Sequence, residues 1–64
     1  MTIAEQVREY LKGKAVPLES DMLKYGGIMV EWNKFDSFGT KYVVWKFPDE
    51  SQIVVDARYK ITVR

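Results

Sequence analysis

From Ile28 onward the chain alternates. Ile28, Val30 and Trp32 interleave with Met29, Glu31 and Asn33, and Val43, Trp45 and Phe47 mark one side of a following segment. Farther on, Ile53, Val55, Ala57, Tyr59, Ile61 and Val63 are apolar, while Gln52, Asp56, Arg58, Lys60, Thr62 and Arg64 are polar. Only Val54 breaks that last alternation. A period of two is the mark of strands with one buried face. Asp36-Ser37-Phe38-Gly39 and Pro48-Asp49-Glu50-Ser51 separate the strands with turn chemistry, and Gly39 is suited to a left-handed conformation.

Before Ile28 the period is helical. Ile3, Val7 and Leu11 recur every fourth residue, with Ala4 and Tyr10 beside them and Glu5, Gln6, Arg8, Glu9 and Lys12 opposite. That stripe predicts an amphipathic helix over about residues 3–12. Thr2-Ile3-Ala4-Glu5 fits a capping box, Lys12 and Lys14 suit the negative end of the helix dipole, and Gly13 is a natural stop. Over residues 14–27, Pro17 is able to open a second short helix near 18–25 that Gly26-Gly27 would end. The competing reading is an irregular loop that tucks Leu18 and Met22 under the sheet.

Register follows from asking which pairing gathers the apolar positions. Pairing Phe35 with Thr40 sets Ile28 opposite Phe47, Val30 opposite Trp45 and Trp32 opposite Val43. Pairing Phe47 with Ile53 sets Trp45 opposite Val55 and Val43 opposite Ala57. All of these fall on one face, and a slip of one residue would scatter them. The expected fold class is therefore α+β: an N-terminal helix packed on one face of a three-stranded antiparallel meander (αβββ), with the short second helix near 18–25 as an addition. In this register the last strand outruns its neighbour. Residues 61–64 then offer a free edge, unless residues 14–18 or a fourth strand after a bulge near Ala57 cover it. Trp32, Trp45, Phe47 and Tyr59 are expected in the core, and Tyr10 at the helix–sheet boundary. Phe38, at the hairpin tip, is either folded back or a contact residue.

Length changes this picture little. A chain of 64 residues suffices for one small domain, taken as residues 1–64. A core that small leaves only about 3–5 kcal/mol of net stability, so the large side chains must carry it. Composition is more restrictive. With no cysteine and no histidine, the sequence offers no disulfide, no thiolate nucleophile, no thiolate metal site and no imidazole base or ligand. No cofactor and no metal site are expected. Ten basic residues against nine acidic give a net charge of +1, which by itself favours neither nucleic acid nor membrane. The longest apolar run, Tyr42-Val43-Val44-Trp45, is far short of a membrane span. The charged N-terminal segment has no signal-peptide core. A cytoplasmic protein is expected, with no membrane partner.

The carboxylates do not suggest catalysis. Asp36, Asp49 and Glu50 sit in turns, and Glu31 and Asp56 fall on the outer sheet face with nothing to split their pKa values as a paired acid and base requires. Gly26-Gly27 lacks the Lys-Ser/Thr of a phosphate loop and precedes a strand. The chain is not expected to be an enzyme.

Interest moves to the sheet face that one helix cannot cover. In this register it carries Met29, Glu31, Asn33 and Phe35, then Thr40, Tyr42, Val44 and Lys46, then Gln52, Val54, Asp56, Arg58, Lys60, Thr62 and Arg64. Met29, Phe35, Tyr42, Val44 and Val54 form an apolar patch of the kind that marks an interface. The expected function is a small non-enzymatic protein–protein interaction or regulatory module, including self-association through this face or the third-strand edge. The alternative is a nucleic-acid-binding module at the basic, aromatic end, where Asn33, Phe35, Tyr42, Arg58 and Lys60 gather. The bland competitor is a solvated sheet face with ordinary cross-strand pairs. The candidate binding residues are thus Met29, Asn33, Phe35, Tyr42, Val44, Val54, Arg58 and Lys60, and the expected partner is another protein or a second copy, with nucleic acid second.

Overall fold

A computed structural model describes residues 1–64. Helix α1 spans Ile3–Leu11 and helix α2 spans Glu19–Lys24. Strands β1 (Ile28–Phe35), β2 (Lys41–Lys46), β3 (Gln52–Asp56) and β4 (Ile61–Val63) form one antiparallel sheet in the order β1-β2-β3-β4. The α+β class and the N-terminal helix are as expected, and the second helix forms. The sheet has four strands rather than three.

The start of α1 is tied from two directions. Thr2 Oγ1 accepts the Glu5 N–H at 3.1 Å, and Glu5 Oε1 accepts the Thr2 N–H at 2.9 Å. The β2–β3 turn supplies the rest. Asp49 Oδ2 accepts the Ile3 N–H at 2.8 Å, and Ser51 Oγ accepts the Ala4 N–H at 3.0 Å. The N-terminal amides of a helix have no intrahelical partners, so this turn caps a helix more than forty residues upstream. Asp49 also accepts from the Ser51 hydroxyl and from the Ser51 N–H.

Helix α2 begins where Asp21 Oδ2 accepts the Leu18 N–H at 3.0 Å. It ends at Gly26, whose φ of 80° suits a residue without Cβ. The Gly26 and Gly27 N–H groups donate to the Leu23 and Met22 carbonyls. At Gly27 the backbone passes so close to Phe47 that an added Cβ would lie 2.8 Å from the ring and 2.9 Å from the Met22 oxygen.

The core is formed by Ala4, Val7 and Leu11 of α1, Met22 of α2, Trp45 and Phe47 at the end of β2, and Ile53 and Val55 of β3. Ile3, Tyr25, Val43, Ile61 and Val63 pack against it. Helix α1 lies over β3 and β4. Helix α2 adds Met22 to the same cluster, and β1 contributes no residue to it.

Register differs from expectation in three places. Across β2 and β3, Trp45 faces Ile53 and Val43 faces Val55. That is two residues tighter than expected, because the chain turns over Pro48–Glu50, with the Phe47 N–H on the Ser51 carbonyl. A shift of two leaves every side chain on its face. The expected long third strand breaks after Asp56 and folds back, so that Ile53 faces Val63 and Val55 faces Ile61. Residues 61–64 are thus paired with β3 and do not form the overrunning edge. Across β1 and β2, the expected register survives only at Glu31–Val44. A bulge on each side shifts the pairing by one. Met29 faces Trp45 and Ile28 faces Lys46 at one end, and Lys34 faces Tyr42 and Phe35 faces Lys41 at the other. Asn33, inside the second bulge, has φ 55°. Trp32 consequently misses the core and is 59% exposed, and Tyr59, in the β3–β4 turn, is 54% exposed.

Candidate interaction surface

The three hairpin turns share one frame. Gly39, Glu50 and Tyr59 occupy equivalent positions with φ of 79°, 73° and 64°. Each donates its N–H to the carbonyl three residues back, at Asp36, Phe47 and Asp56 respectively. In the first and third turns the leading aspartate adds the same pair of bonds. Asp36 Oδ1 accepts the Phe38 and Thr40 N–H groups at 2.8 and 2.9 Å, and Asp56 Oδ1 accepts those of Arg58 and Lys60 at the same distances. These two carboxylates are committed to their turns. Phe38 projects from the first turn, almost wholly exposed.

The remaining charges near the helices are structural as well. Lys14 Nζ reaches both Asp21 oxygens at 2.9 and 3.0 Å and lies 5.3 Å from the centre of the Tyr10 ring. Lys24 Nζ lies 4.9 Å from the same ring, and Tyr25 stacks obliquely on it at 5.9 Å. This cluster joins α2 to α1. The Lys14 ammonium holds the Asp21 carboxyl below its ordinary range, helped by the Leu18 N–H, and Asp21 in turn raises Lys14. The Ser51 hydroxyl and the Ile3 N–H hold Asp49 down. Thr2 lowers Glu5, and Lys12 lowers Glu9. All four displaced carboxyls move away from the range in which a general acid works. No group of three or more His, Cys, Asp or Glu side chains is placed to hold a metal ion, and no helix is long and apolar enough to cross a membrane.

Two grooves remain. The helix-side groove holds about 270 Å³ and is lined chiefly by Pro17, Leu18 and Met22 from the α2 region, Met29 from β1, Val43 and Trp45 from β2, and Val55, Ala57 and Tyr59 beyond. It lies where α1 does not reach. Beside it runs β1, an edge strand on which Ile28, Met29, Val30, Trp32 and Phe35 are all exposed, the last 64% so. The outer groove, about 420 Å³, is polar. It is lined by Asp36, Tyr42, Val54, Asp56, Lys60, Thr62 and Arg64.

The expected binding residues divide between these places. Tyr42, Val54 and Lys60 stay on the outer side as expected. Val44 shares that face but is fully buried. Arg64 Nη2 donates to Glu31 Oε2 at 3.4 Å, and that pair spans the outer face from β4 to β1 with Val44 and Val54 between. Val44 is therefore floor, not contact surface. Met29 and Phe35 leave the outer face because the bulges set them opposite Trp45 and Lys41. Asn33 sits in the second bulge, and Arg58 lies exposed in the β3–β4 turn. Lys34 takes the outer position that Asn33 and Phe35 were expected to frame.

Leu18, Trp32 and Tyr59 belong to the apolar surface and were missed. For Tyr59 a signal existed: Asp56-Ala57-Arg58-Tyr59-Lys60 repeats the spacing of Asp36-Ser37-Phe38-Gly39-Thr40, with tyrosine where the first turn has glycine.

Comparison of the chain with models of protein families, with curated proteins and with solved structures finds no match.

Proposed function

We propose that this chain is a small non-enzymatic interaction module that engages another protein through β1 and the helix-side groove next to it. The observation that carries this reading is β1 itself. Five large apolar side chains stand exposed along one edge strand of a domain whose main core cluster holds only eight buried apolar residues. Single exposed apolar residues are ordinary, but a run of them beside an apolar groove marks a contact surface.

Tyr59 supports the same surface. A left-handed conformation costs a bulky residue about 1–2 kcal/mol, and the equivalent position of the first turn avoids that cost with Gly39. Tyr59 is half exposed, so burial repays little of it, and its ring lines the groove. A strained residue held for its side chain at a groove rim fits recognition better than folding. The nucleic-acid reading loses support. With Phe35 on the other side, the outer groove keeps one aromatic, Tyr42, and its cations share it with Asp36 and Asp56, whereas single-strand binding needs several stacking rings in a cationic groove.

Site-specific photocrosslinking tests the proposal. A benzoyl-phenylalanine placed at position 32 or 35 should give a protein adduct of discrete mass in the native cells. The same group at position 6, on the exposed side of α1, should give none. Absence of adducts from 32 and 35, or an equal pattern from position 6, would overturn the reading.

A further inference from the structure

We propose that the end of the sheet formed by the β1–β2 and β3–β4 turns docks on an anionic lipid surface, with Phe38 entering the headgroup layer and Lys34, Lys41, Arg58 and Lys60 on the charged headgroups. This contact does not depend on a protein partner at β1. In an antiparallel meander the first and third turns lie at the same end. Here the Ala57 N–H joins them by donating to the Lys41 carbonyl at 2.8 Å. Phe38 is 92% exposed, the most exposed large apolar side chain of the protein. Its turn is held firmly, since Asp36 accepts the Phe38 and Thr40 amides. A fixed frame thus presents the ring to solvent, and the ring takes no part in the core.

Charge placement carries the argument. A net charge of +1 over the whole chain favours no membrane, but the charges are unevenly placed. Lys12, Lys14, Lys46 and Arg64 form ion pairs, and Lys24 lies over the Tyr10 ring. The other basic residues are Arg8 on α1 and Lys34, Lys41, Arg58 and Lys60, and these last four are all exposed at this one end. The acids beside them, Asp36 and Asp56, each accept a pair of backbone amides inside their turns. At the opposite end the β2–β3 turn carries Asp49 and Glu50, so a negative surface would draw in the basic end first. The geometry suits a flat surface. Lys34 lies on the outer face and Lys41 on the helix side, so cations flank Phe38 on both sides of the sheet. A nucleic-acid strand or an acidic peptide lying in a groove would use one side only, whereas a membrane met by the sheet end uses both. Each basic residue near an anionic surface adds attraction, and a ring within the interface adds apolar burial. With one ring and few charges, affinity should not exceed that of a single acyl chain, on the order of 10⁴ M⁻¹.

The test is co-sedimentation of the full chain with vesicles of phosphatidylcholine alone and of phosphatidylcholine with about 30% phosphatidylserine. The chain should be half bound to the anionic vesicles at about 0.1–1 mM lipid, should leave the neutral ones unbound, and should be released when salt rises from about 0.1 to 0.5 M. Lys34→Gln and Arg58→Gln should each weaken binding about fivefold, the effect of one basic residue at such a surface. Phe38→Ser should weaken it at least about tenfold. Lys46→Gln, at the other end of β2, should change it less than about twofold, because screening leaves a distant charge little influence. Urea midpoints accompany each variant to show that folding is intact. Nitroxide-labelled lipid gives a reading free of any substitution: it should broaden the amide signals of Phe38 and Arg58 and spare that of Glu50. Equal binding to both kinds of vesicle, a Phe38→Ser chain that binds as the unaltered one does, or no binding at about 5 mM anionic lipid would overturn the proposal. So would binding of a single-stranded oligonucleotide under conditions where the vesicles stay free.

Discussion

Gly39→Ala and Glu50→Gly are opposite perturbations of one shared turn position. At Gly39 an added Cβ meets nothing within 4 Å, so the effect of alanine there is backbone alone. With φ at 79°, the left-handed conformation should cost about 1–2 kcal/mol. Loss of glycine's freedom in the unfolded chain returns about 0.4–1 kcal/mol. Gly39→Ala should therefore destabilise by about 1 kcal/mol. Glu50 holds the equivalent position at 73°. Its exposed carboxylate meets the half-buried Lys46, Nζ to Oε2 at 2.6 Å, and a surface pair of that kind adds little. Glu50→Gly should reverse the sign and stabilise by about 0.5–1 kcal/mol, once glycine's entropy is counted. Urea unfolding should show these changes as opposite shifts of the midpoint at constant slope. In thermal unfolding, 1 kcal/mol corresponds to about 4–8 °C for a domain of this size. A neutral Gly39→Ala, or a destabilising Glu50→Gly with unchanged slope, would refute the claim that the hairpins share a left-handed position.

Removal of the hydroxyl in Ser51→Ala strips the Ala4 amide of its acceptor and Asp49 of a donor; about 1 kcal/mol of stability should be lost in urea melts, the ordinary cost of losing a helix cap. Gly27→Ala forces a Cβ against Phe47 and the Met22 carbonyl and should cost about 1–3 kcal/mol, the usual range for overpacking, with near-ultraviolet dichroism changing as Trp45 and Phe47 are displaced. Trp32→Ser should alter stability by no more than about 0.5 kcal/mol in urea unfolding, whereas Trp45→Ala, at a core position, should cost about 3–5 kcal/mol and abolish the cooperative transition. Asp21, Asp49, Glu5 and Glu9 are held below their ordinary range, so their contribution is present above the unfolded carboxyl value near 4 and fades as pH falls through the lower folded values. Lys14 is raised, so its contribution is complete below the unfolded lysine value near 10.4 and fades as pH climbs through the higher folded one. With no histidine in the chain, midpoints recorded against pH should be level between about 5 and 9 and fall first on the acid side.

The parts of the fold that were legible were those decided locally or protected by parity. Thr2 and Glu5 lie three residues apart and cap α1 whatever else the chain does. Gly26-Gly27 stops α2 through backbone conformation alone. The β2–β3 register was off by two, yet Val43, Trp45, Ile53 and Val55 still reach the helices, because an even shift preserves the face. Parity also concealed β4. The last hairpin pairs odd positions with odd, Ile53 with Val63 and Val55 with Ile61, so the alternation runs through the reversal unbroken. The turn is signalled by Asp56, whose carboxylate serves the Arg58 and Lys60 amides as Asp36 serves its own turn. The capping role of Asp49 and Ser51 on α1 was not legible, since it depends on a contact between distant segments.

The largest failure falls on β1, and its cause bears on function. Register is strongly specified only where a buried face depends on it. On β2 and β3 a slip of one would expel Trp45, Ile53 and Val55 from the core. On β1 nothing comparable is at stake, because every residue except the half-buried Glu31 is exposed. The chain can bulge twice there and forgo burial of Trp32 without losing the helix-side core. A strand built with Ile28, Met29, Val30, Trp32 and Phe35 nonetheless has an apolar sequence that this monomer leaves largely unburied. Strand patterning and folded environment agree elsewhere in the sheet and disagree along this one element. Such local disagreement is what a contact surface produces, because its side chains answer to a partner as well as to the fold. The same misfit that upset the register on β1 is therefore the physical reason for seeking the partner there rather than on the outer face, where Val44 is already covered.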